Sequence, residues 1–220
     1  MNLIIFDIDG TLSQTDGIDT QCYVQAIEEV MEEKVLNTDW DSYENVTDEA
    51  LTQLIFKNVL KRLPATHEVE QVKSRLVELL NFHSRKDPAA FREVAGAKLF
   101  FRKMMSQHDW AVAIATGCWH GSAEVKLAAI DFNRAGVPLA TADLAATKPG
   151  ILAEAERLAK EAHGQKEFAR RIYVGDRAYD LRSAESQGME FLGIDITGSG
   201  KLHQAGAPRV IKSFGQKLNL

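Results

Sequence analysis

Two carboxylates near the start of the chain are spaced so that they could do chemistry together. Asp7 and Asp9 follow the apolar run Leu3–Phe6, which predicts a short strand buried on both faces. Residues two apart on an extended chain point to the same side, so these acids repel each other unless a cation or a shared proton offsets the charge. Gly10 lets the backbone turn there, and Thr11 adds a hydroxyl. An Asp-Gly turn alone explains neither the second acid nor its place, so we expect a reactive site at this strand end.

The next predicted strand also ends in residues suited to binding an anion. Ala111–Ala115 is followed by Thr116 and Gly117, and then by a helix whose N-terminus favours negative charge. Further along, Lys148 precedes Pro149 at the start of another helical pattern. A lysine is unfavourable at that end of a helix unless an anion lies nearby. Taken singly, Thr116 and Gly117 also fit an ordinary turn, and Lys148 also fits a solvated surface side chain.

A second acidic pair follows the strand predicted at Arg171–Val174. Asp176 comes directly after Gly175, and Asp180 lies four residues on, where the first turn of a helix would turn it toward the same site. Each acid could instead serve only as a helix cap or as an ordinary acid of a first turn. Their position at the end of a buried strand favours a role in the predicted site over a purely local one.

Taken together, the strand ends predict one phosphate and metal site. The carboxyl ends of parallel strands meet at one edge of a sheet, so these groups would converge there. The carboxylates of Asp7 and Asp176 are hard oxygen ligands that suit Mg²⁺. Thr116, Lys148 and main-chain N–H groups would supply hydrogen-bond donors and positive charge for a phosphate.

These groups need a parallel sheet to position them, and the rest of the chain predicts one. Short apolar runs alternate with helical patterns, which is typical of an α/β fold with helices on both faces of the sheet. The further predicted elements are strands at Leu139–Ala142, Phe191–Ile194 and Val210–Ile211, and helices at Ala123–Phe132, Ile151–Ala162 and Leu181–Gln187.

The segment from Asp16 to about Pro88 has a different pattern. It contains no convincing strand, but it does contain three apolar stripes at helical spacing, and Thr47 is a candidate cap for the second helix. We therefore expect a small all-helical domain at residues 16–89, inserted into an α/β core made of residues 1–15 and 90–220. Two linkers near Thr15 and Ala90 would let it act as a lid over the site, although a helical elaboration without motion fits the same pattern.

The composition excludes several other classes of protein. The chain has 220 residues, 45% hydrophobic and 26% charged, as in an ordinary soluble globular protein. Its net charge of -5 argues against binding to nucleic acid. No apolar run is long enough for a membrane helix, and the N-terminus does not resemble a signal peptide. The two cysteines have no metal-site spacing, so we expect a cytoplasmic protein with reduced thiols.

The four strand-end motifs, in this order, resemble those of the haloacid dehalogenase-like superfamily. The DxDGT motif corresponds to Asp7–Thr11, the Thr or Ser of the second motif to Thr116, the Lys of the third to Lys148, and the GDxxxD motif to Gly175–Asp180. Core-type residues cover about 1–15 and 90–220. Members with an insertion directly after the first motif carry a helical cap, and residues 16–89 fit that class.

The resemblance implies a magnesium-dependent phosphatase that acts on a small phosphorylated metabolite. Asp7 would attack phosphorus to form an aspartyl-phosphate, and Asp9 would act first as acid and then as base. Asp7, Asp176 and the main-chain carbonyl of Asp9 would hold Mg²⁺, with Asp180 in support beside Gly10 and Thr11. The phosphate would be held by Thr116, Gly117 and Lys148.

Other functions share some of these sequence features. A phosphomutase would share these core residues, and a silent phospho-ligand binding module would be expected to lack one of them. Asp9 argues against a dehalogenase, and a phosphoacceptor signalling domain would lack both this second acid and the helical insertion. The sequence does not name the substrate, and it leaves both a monomer and a homodimer open.

Four further residues have roles that the sequence leaves open. For Arg177, an ion pair or a solvated side chain is favoured over phosphate binding, whereas His120 could equally face the leaving group or have no role. For Trp40 and Tyr43, packing is favoured over lining a pocket.

Overall fold

Six parallel strands form one sheet, in the order β3-β2-β1-β4-β5-β6. The computed structural model describes residues 1–35 and 37–216. The strands are β1 Asn2–Phe6, β2 Trp110–Ala115, β3 Leu139–Ala140, β4 Arg171–Gly175, β5 Glu190–Ile194 and β6 Val210–Ile211. The predicted α/β fold class is confirmed.

Three long helices lie between β1 and the next helix of the α/β part. These are α1 Asp16–Met31, α2 Asp48–Leu60 and α3 Thr66–Lys86, which we call the inserted helices. One short 3-10 turn, Trp40–Ser42, lies between α1 and α2, and another, Pro88–Ala90, follows α3. The described residues of this region form no strand. The Thr47 side chain accepts a hydrogen bond from the Ala50 N–H at 3.2 Å, so it caps α2 as predicted.

The remaining helices connect the strands. They are α4 Ala97–Met105, α5 His120–Ala129, α6 Lys148–His163, α7 Ala178–Ser186 and α8 Lys201–Gln204. Helices α4, α6 and α7 pack against strands of the sheet. None of the helices within residues 1–35 and 37–216 is both long and apolar enough to span a bilayer.

Several helix bounds differ from those that the sequence predicted. Helix α5 begins at His120 rather than Ala123 and ends at Ala129, and α7 begins at Ala178 rather than Leu181. Helix α6 begins at Lys148 itself, before the predicted Ile151. Helix α4 was not predicted, although Phe100, Phe101 and Met104 give it a buried apolar stripe.

The strand order places a binding crevice at the end of β1. From β1 the chain moves outward through β2 to β3, then returns to β4 on the other side of β1. Connections therefore leave β1 and β4 in opposite directions, which opens a gap at their carboxyl ends where α/β sheets bind ligands. Leu3, Ile4, Ile5 and Phe6 have no exposed surface, so β1 is anchored in the core and holds the residues that follow it rigidly.

Candidate active site

The predicted residues gather at the carboxyl edge of the sheet. Asp7 directly follows β1, Thr116 follows β2 and Asp176 follows β4, while Lys148 is the first residue of α6. Asp7, Asp9, Thr116, Gly117 and Lys148 line one cavity of about 80 Å³. That volume holds several water molecules, and so it suits a small polar ligand.

Lys148 forms the centre of a buried charge cluster. Its Nζ lies 2.9 Å from Asp7 Oδ1 and 3.3 Å from Asp180 Oδ1. Lys148 and Asp7 are each only 4% exposed and Asp180 is fully buried, so the solvated surface alternative for this lysine is wrong. The two carboxylates are the anions that a lysine at a helix N-terminus requires.

Burial has a large effect on Asp7. It raises the pKa of the Asp7 carboxyl to about 7, although Lys148 lowers that pKa and Asp180 raises it further. A carboxylate must be ionised to attack phosphorus, and Lys148 alone does not bring this group back to its ordinary range. A further cation beside Asp7 would favour the ionised form.

Asp176 has features that fit a divalent cation. Its Oδ1 is buried without a hydrogen-bond partner among the described residues, which is costly unless something else occupies that position. One carboxylate oxygen from each of Asp7, Asp176 and Asp180 lies within 4.8 Å of the other two. Gly10 has φ +71°, and a Cβ there would lie 2.1 Å from Asp176 Oδ2. Three neighbouring carboxylates, one of which carries an unpartnered oxygen, fit Mg²⁺.

Asp180 is committed to positioning its neighbours. Its Oδ1 accepts a hydrogen bond from the Tyr173 hydroxyl at 3.0 Å, and its Oδ2 accepts one from the Arg177 main-chain N–H at 3.1 Å. The same carboxylate pairs with Lys148. With both oxygens engaged, it orients Lys148 and the first turn of α7.

Asp9 is held by a different cation. Lys126 Nζ lies 2.6 Å from Asp9 Oδ2, and the Thr15 hydroxyl donates to Asp9 Oδ1 at 2.5 Å. Burial acts to raise the pKa of Asp9, but Lys126, Thr15 and Cys118 outweigh it and leave that pKa below its ordinary value.

The inserted helices contact the edge of the sheet next to this site. The Asp48 main-chain N–H donates to the Gly117 carbonyl at 2.8 Å, and Asp48 Oδ2 accepts from the Trp119 main-chain N–H at 2.9 Å. The Thr47 hydroxyl also donates to the Ala146 carbonyl at 2.7 Å. Side chains of Tyr23 and Trp40 line the cavity from the inserted side. The inserted helices therefore form one wall of the cavity.

The four residues whose roles the sequence leaves open lie at different places around the site. Arg177 forms ion pairs with Asp16 at 2.9 Å and with Asp176 at 3.1 Å, and it lines the cavity. The His120 side chain is 58% exposed and lies 3.8 Å from Glu124. Trp40 and Tyr43 pack together, with ring centroids 5.8 Å apart.

A family model for haloacid dehalogenase-like hydrolases matches residues 4–194. This span takes in every motif residue that lines the cavity. The chain belongs to this family. The predicted resemblance, and with it the prediction of an enzyme of the hydrolase class, is confirmed.

Several solved structures share the fold of this haloacid dehalogenase-like protein. A hydrolase from Pseudomonas syringae is 17% identical, with a TM-score of 0.70, and the match covers 97% of this chain and 94% of that one. CbbY from Rhodobacter sphaeroides, solved in complex with xylulose-(1,5)-bisphosphate, is 19% identical, with a TM-score of 0.68 and coverage of 98% and 96%. A predicted phosphoglycolate phosphatase from Haemophilus somnus is 16% identical, with a TM-score of 0.64 and coverage of 97% and 95%. A comparison with curated proteins finds no significant match.

Within this haloacid dehalogenase-like site, sequence reasoning missed Lys126 and Asp19. Asp19 Oδ1 lies 2.8 Å from Lys126 Nζ, so both belong to the charge cluster around Asp9. One signal was available: Lys126 stands in line with Ala123 and Leu127 on the apolar face of α5, where a charged side chain is unusual unless it is paired.

Proposed function

We propose that this chain is a magnesium-dependent phosphatase that hydrolyses a small phosphomonoester through an aspartyl-phosphate. The observation that carries the proposal is the buried pair of Asp7 and Lys148 at the crevice between β1 and β4, with Asp9 on the adjoining turn. A nucleophile, a phosphate-binding cation and an acid thus share one small cavity.

The first step of the proposed reaction is attack on phosphorus. An Asp7 oxygen would form the new bond to phosphorus while the ester oxygen leaves with a proton from Asp9. Lys148 would bind the phosphoryl oxygens, and the Thr116 hydroxyl and Gly117 N–H would donate to them. The Thr116 and Lys148 side chains are buried, so their hydrogen bonds act with little competition from water.

The second step would return Asp7 to its starting state. Asp9, now ionised, would take a proton from a water molecule that attacks the aspartyl-phosphate, which releases inorganic phosphate. Mg²⁺ would be held by Asp7, Asp176 and the main-chain carbonyl of Asp9, and when bound it would reduce the repulsion between the nucleophile and the phosphate. Asp180 would position Lys148, and the turn at Gly10 and Thr11 would hold Asp9.

We also propose that the inserted helices form a cap domain at residues 16–89 on a core of residues 1–15 and 90–220. The hydrogen bonds of Thr47 and Asp48 to the α/β part would close the cap over the substrate. A cavity of about 80 Å³ favours a small phosphorylated metabolite over a macromolecule.

Phosphate release from a panel of small phosphomonoesters tests this function. It would be measured with Mg²⁺ and with EDTA, for the native protein and for Asp7→Asn. We expect metal-dependent release that Asp7→Asn abolishes and that Asp109→Asn, a change at an exposed acid, leaves intact. Isomerisation without phosphate release would indicate a mutase, and binding without turnover would indicate a silent binding module. Either result would overturn the phosphatase.

A further inference from the structure

Lys126 is a fully buried lysine surrounded by acidic and polar groups. Its Nζ lies 2.6 Å from Asp9 Oδ2, 2.8 Å from Asp19 Oδ1 and 2.8 Å from Cys118 Sγ, and its side chain has no exposed surface. A buried ammonium loses its hydration and persists only where such partners replace water. Its position is therefore specified by the groups around it.

These contacts restrict the orientation of the Asp9 carboxylate. Asp9 lies on the turn after β1, next to Gly10, and its side chain is only 17% exposed. The Thr15 hydroxyl binds Oδ1, while Lys126 and the Cys118 thiol at 3.1 Å bind Oδ2. Thr15 comes from the same loop as Asp9, whereas Lys126 reaches it from α5. The ammonium is the charged contact that secures the acid to the helical scaffold.

Lys126 also connects Asp9 to the inserted helices. Asp19 lies in the first turn of α1, and it shares the ammonium with Asp9. Without that cation, the two half-buried carboxylates would face each other with no positive charge between them. Repulsion and desolvation would then turn Asp9 away from its present orientation.

We propose that Lys126 is a positioning residue for Asp9, holding its carboxylate in the orientation from which it protonates the leaving oxygen. The proposal rests on the proposed phosphatase function. It does not place Lys126 in contact with substrate. In the step concerned, the P–O ester bond breaks and its electron pair goes to the leaving oxygen. The pKa of Asp9 lies below its ordinary value, so its carboxylate first takes up a proton from solvent and then passes that proton to the leaving oxygen.

Substrates with different leaving groups separate this role from a structural one. 4-Nitrophenolate is stable as an anion and needs no proton, whereas an alkoxide does. We compare kcat/KM for 4-nitrophenyl phosphate and for the fastest alkyl phosphate of the panel above. For Lys126→Met, misplacement of the acid should lower the alkyl value by about 10- to 100-fold and leave the nitrophenyl value nearly unchanged. Because kcat/KM covers only the steps through loss of the leaving group, the later attack of water does not enter it.

Lys73→Met is the matched control. Lys73 forms another ion pair between the inserted helices and the α/β part, with Asp143 at 2.8 Å, but it has no bond to Asp9. We expect Lys73→Met to change kcat/KM for both substrates by the same factor. Lys126→Gln combined with Asp19→Asn removes the cation together with one of its carboxylates. This double variant replaces Lys126→Met in the test if Lys126→Met does not fold.

The proposal would be overturned if the Lys126 variants lost kcat/KM equally on both substrates, or if their kcat/KM for the alkyl substrate rose. A crystal structure of the variant gives a readout that does not need activity. We expect the Asp9 carboxylate to leave Cys118, and an unmoved carboxylate would overturn the proposal even if the native protein released no phosphate. Absence of release by the native protein would count against the phosphatase alone.

Discussion

Replacing Asp48 by Asn should make the protein more stable near neutral pH, by an amount that grows with pH. Asp48 is 8% exposed, and burial, together with Asp19, raises its pKa from 3.8 to about 8, although Lys126 and the Trp119 N–H lower it. Between these two pKa values the unfolded chain is ionised while the folded carboxyl keeps its proton. Stability that is present below about pH 4 is therefore lost as the pH rises toward 8.

The size of the effect follows from one proton. A full proton difference changes the free energy of unfolding by about 1.4 kcal/mol for each pH unit, or about 2.8 kcal/mol between pH 5 and pH 7. The amide introduced by Asp48→Asn does not titrate and carries no such dependence, and its oxygen can still accept the Trp119 N–H. The difference between the two proteins should thus widen by that amount in favour of Asp48→Asn.

Urea unfolding at 25 °C, in EDTA and at half-unit steps from pH 5 to pH 7.5, measures this difference. Native protein and Asp48→Asn would be compared at each step, so that titrations common to both cancel. A constant difference across the range would contradict this prediction, because it would mean that folding leaves the ionisation of Asp48 unchanged.

Two further predictions concern the core of the site. Lys148→Met leaves the buried carboxylates of Asp7 and Asp180 without their cation, so the free energy of unfolding, measured with urea in EDTA at pH 7, should fall by about 3–5 kcal/mol. A fall of less than about 1 kcal/mol, as for a surface ion pair, would contradict the buried cluster. Gly10→Ala brings a Cβ within 2.1 Å of Asp176 Oδ2, and it should weaken Mg²⁺ binding, measured by calorimetry, by about tenfold or more. Gly17→Ala, whose Cβ would meet nothing within 4 Å, is the control, and equal affinities in the two variants would exclude Asp176 as a ligand.

Local signals were sufficient to place the strand ends. Each of Asp7, Thr116 and Asp176 directly follows a short strand built on an apolar run, and a strand of that kind is specified by its own residues. Lys148 was found because a lysine is out of place at a helix N-terminus. Only burial showed that it is paired rather than solvated.

Helix starts were less predictable, and α5 shows the reason. Its first N–H groups are bound by carboxylates from distant parts of the chain: Asp48 accepts from Trp119, and Asp143 accepts from His120 at 2.6 Å. Caps of this kind leave no signal among the neighbouring residues, so the helix begins before the segment that its own sequence predicts.

Strand, turn and motif signals are local, so the family, the parallel sheet and the set of groups at its carboxyl edge could all be predicted from the sequence. Which charges meet depends on the tertiary structure. Lys126 looks like an ordinary helical lysine until β1 and α1 bring Asp9 and Asp19 to it. Asp176 Oδ1 is unpartnered among the described residues only once the surrounding chain excludes water from it. Burial and partner choice depend on contacts between distant segments, and no local pattern encodes them.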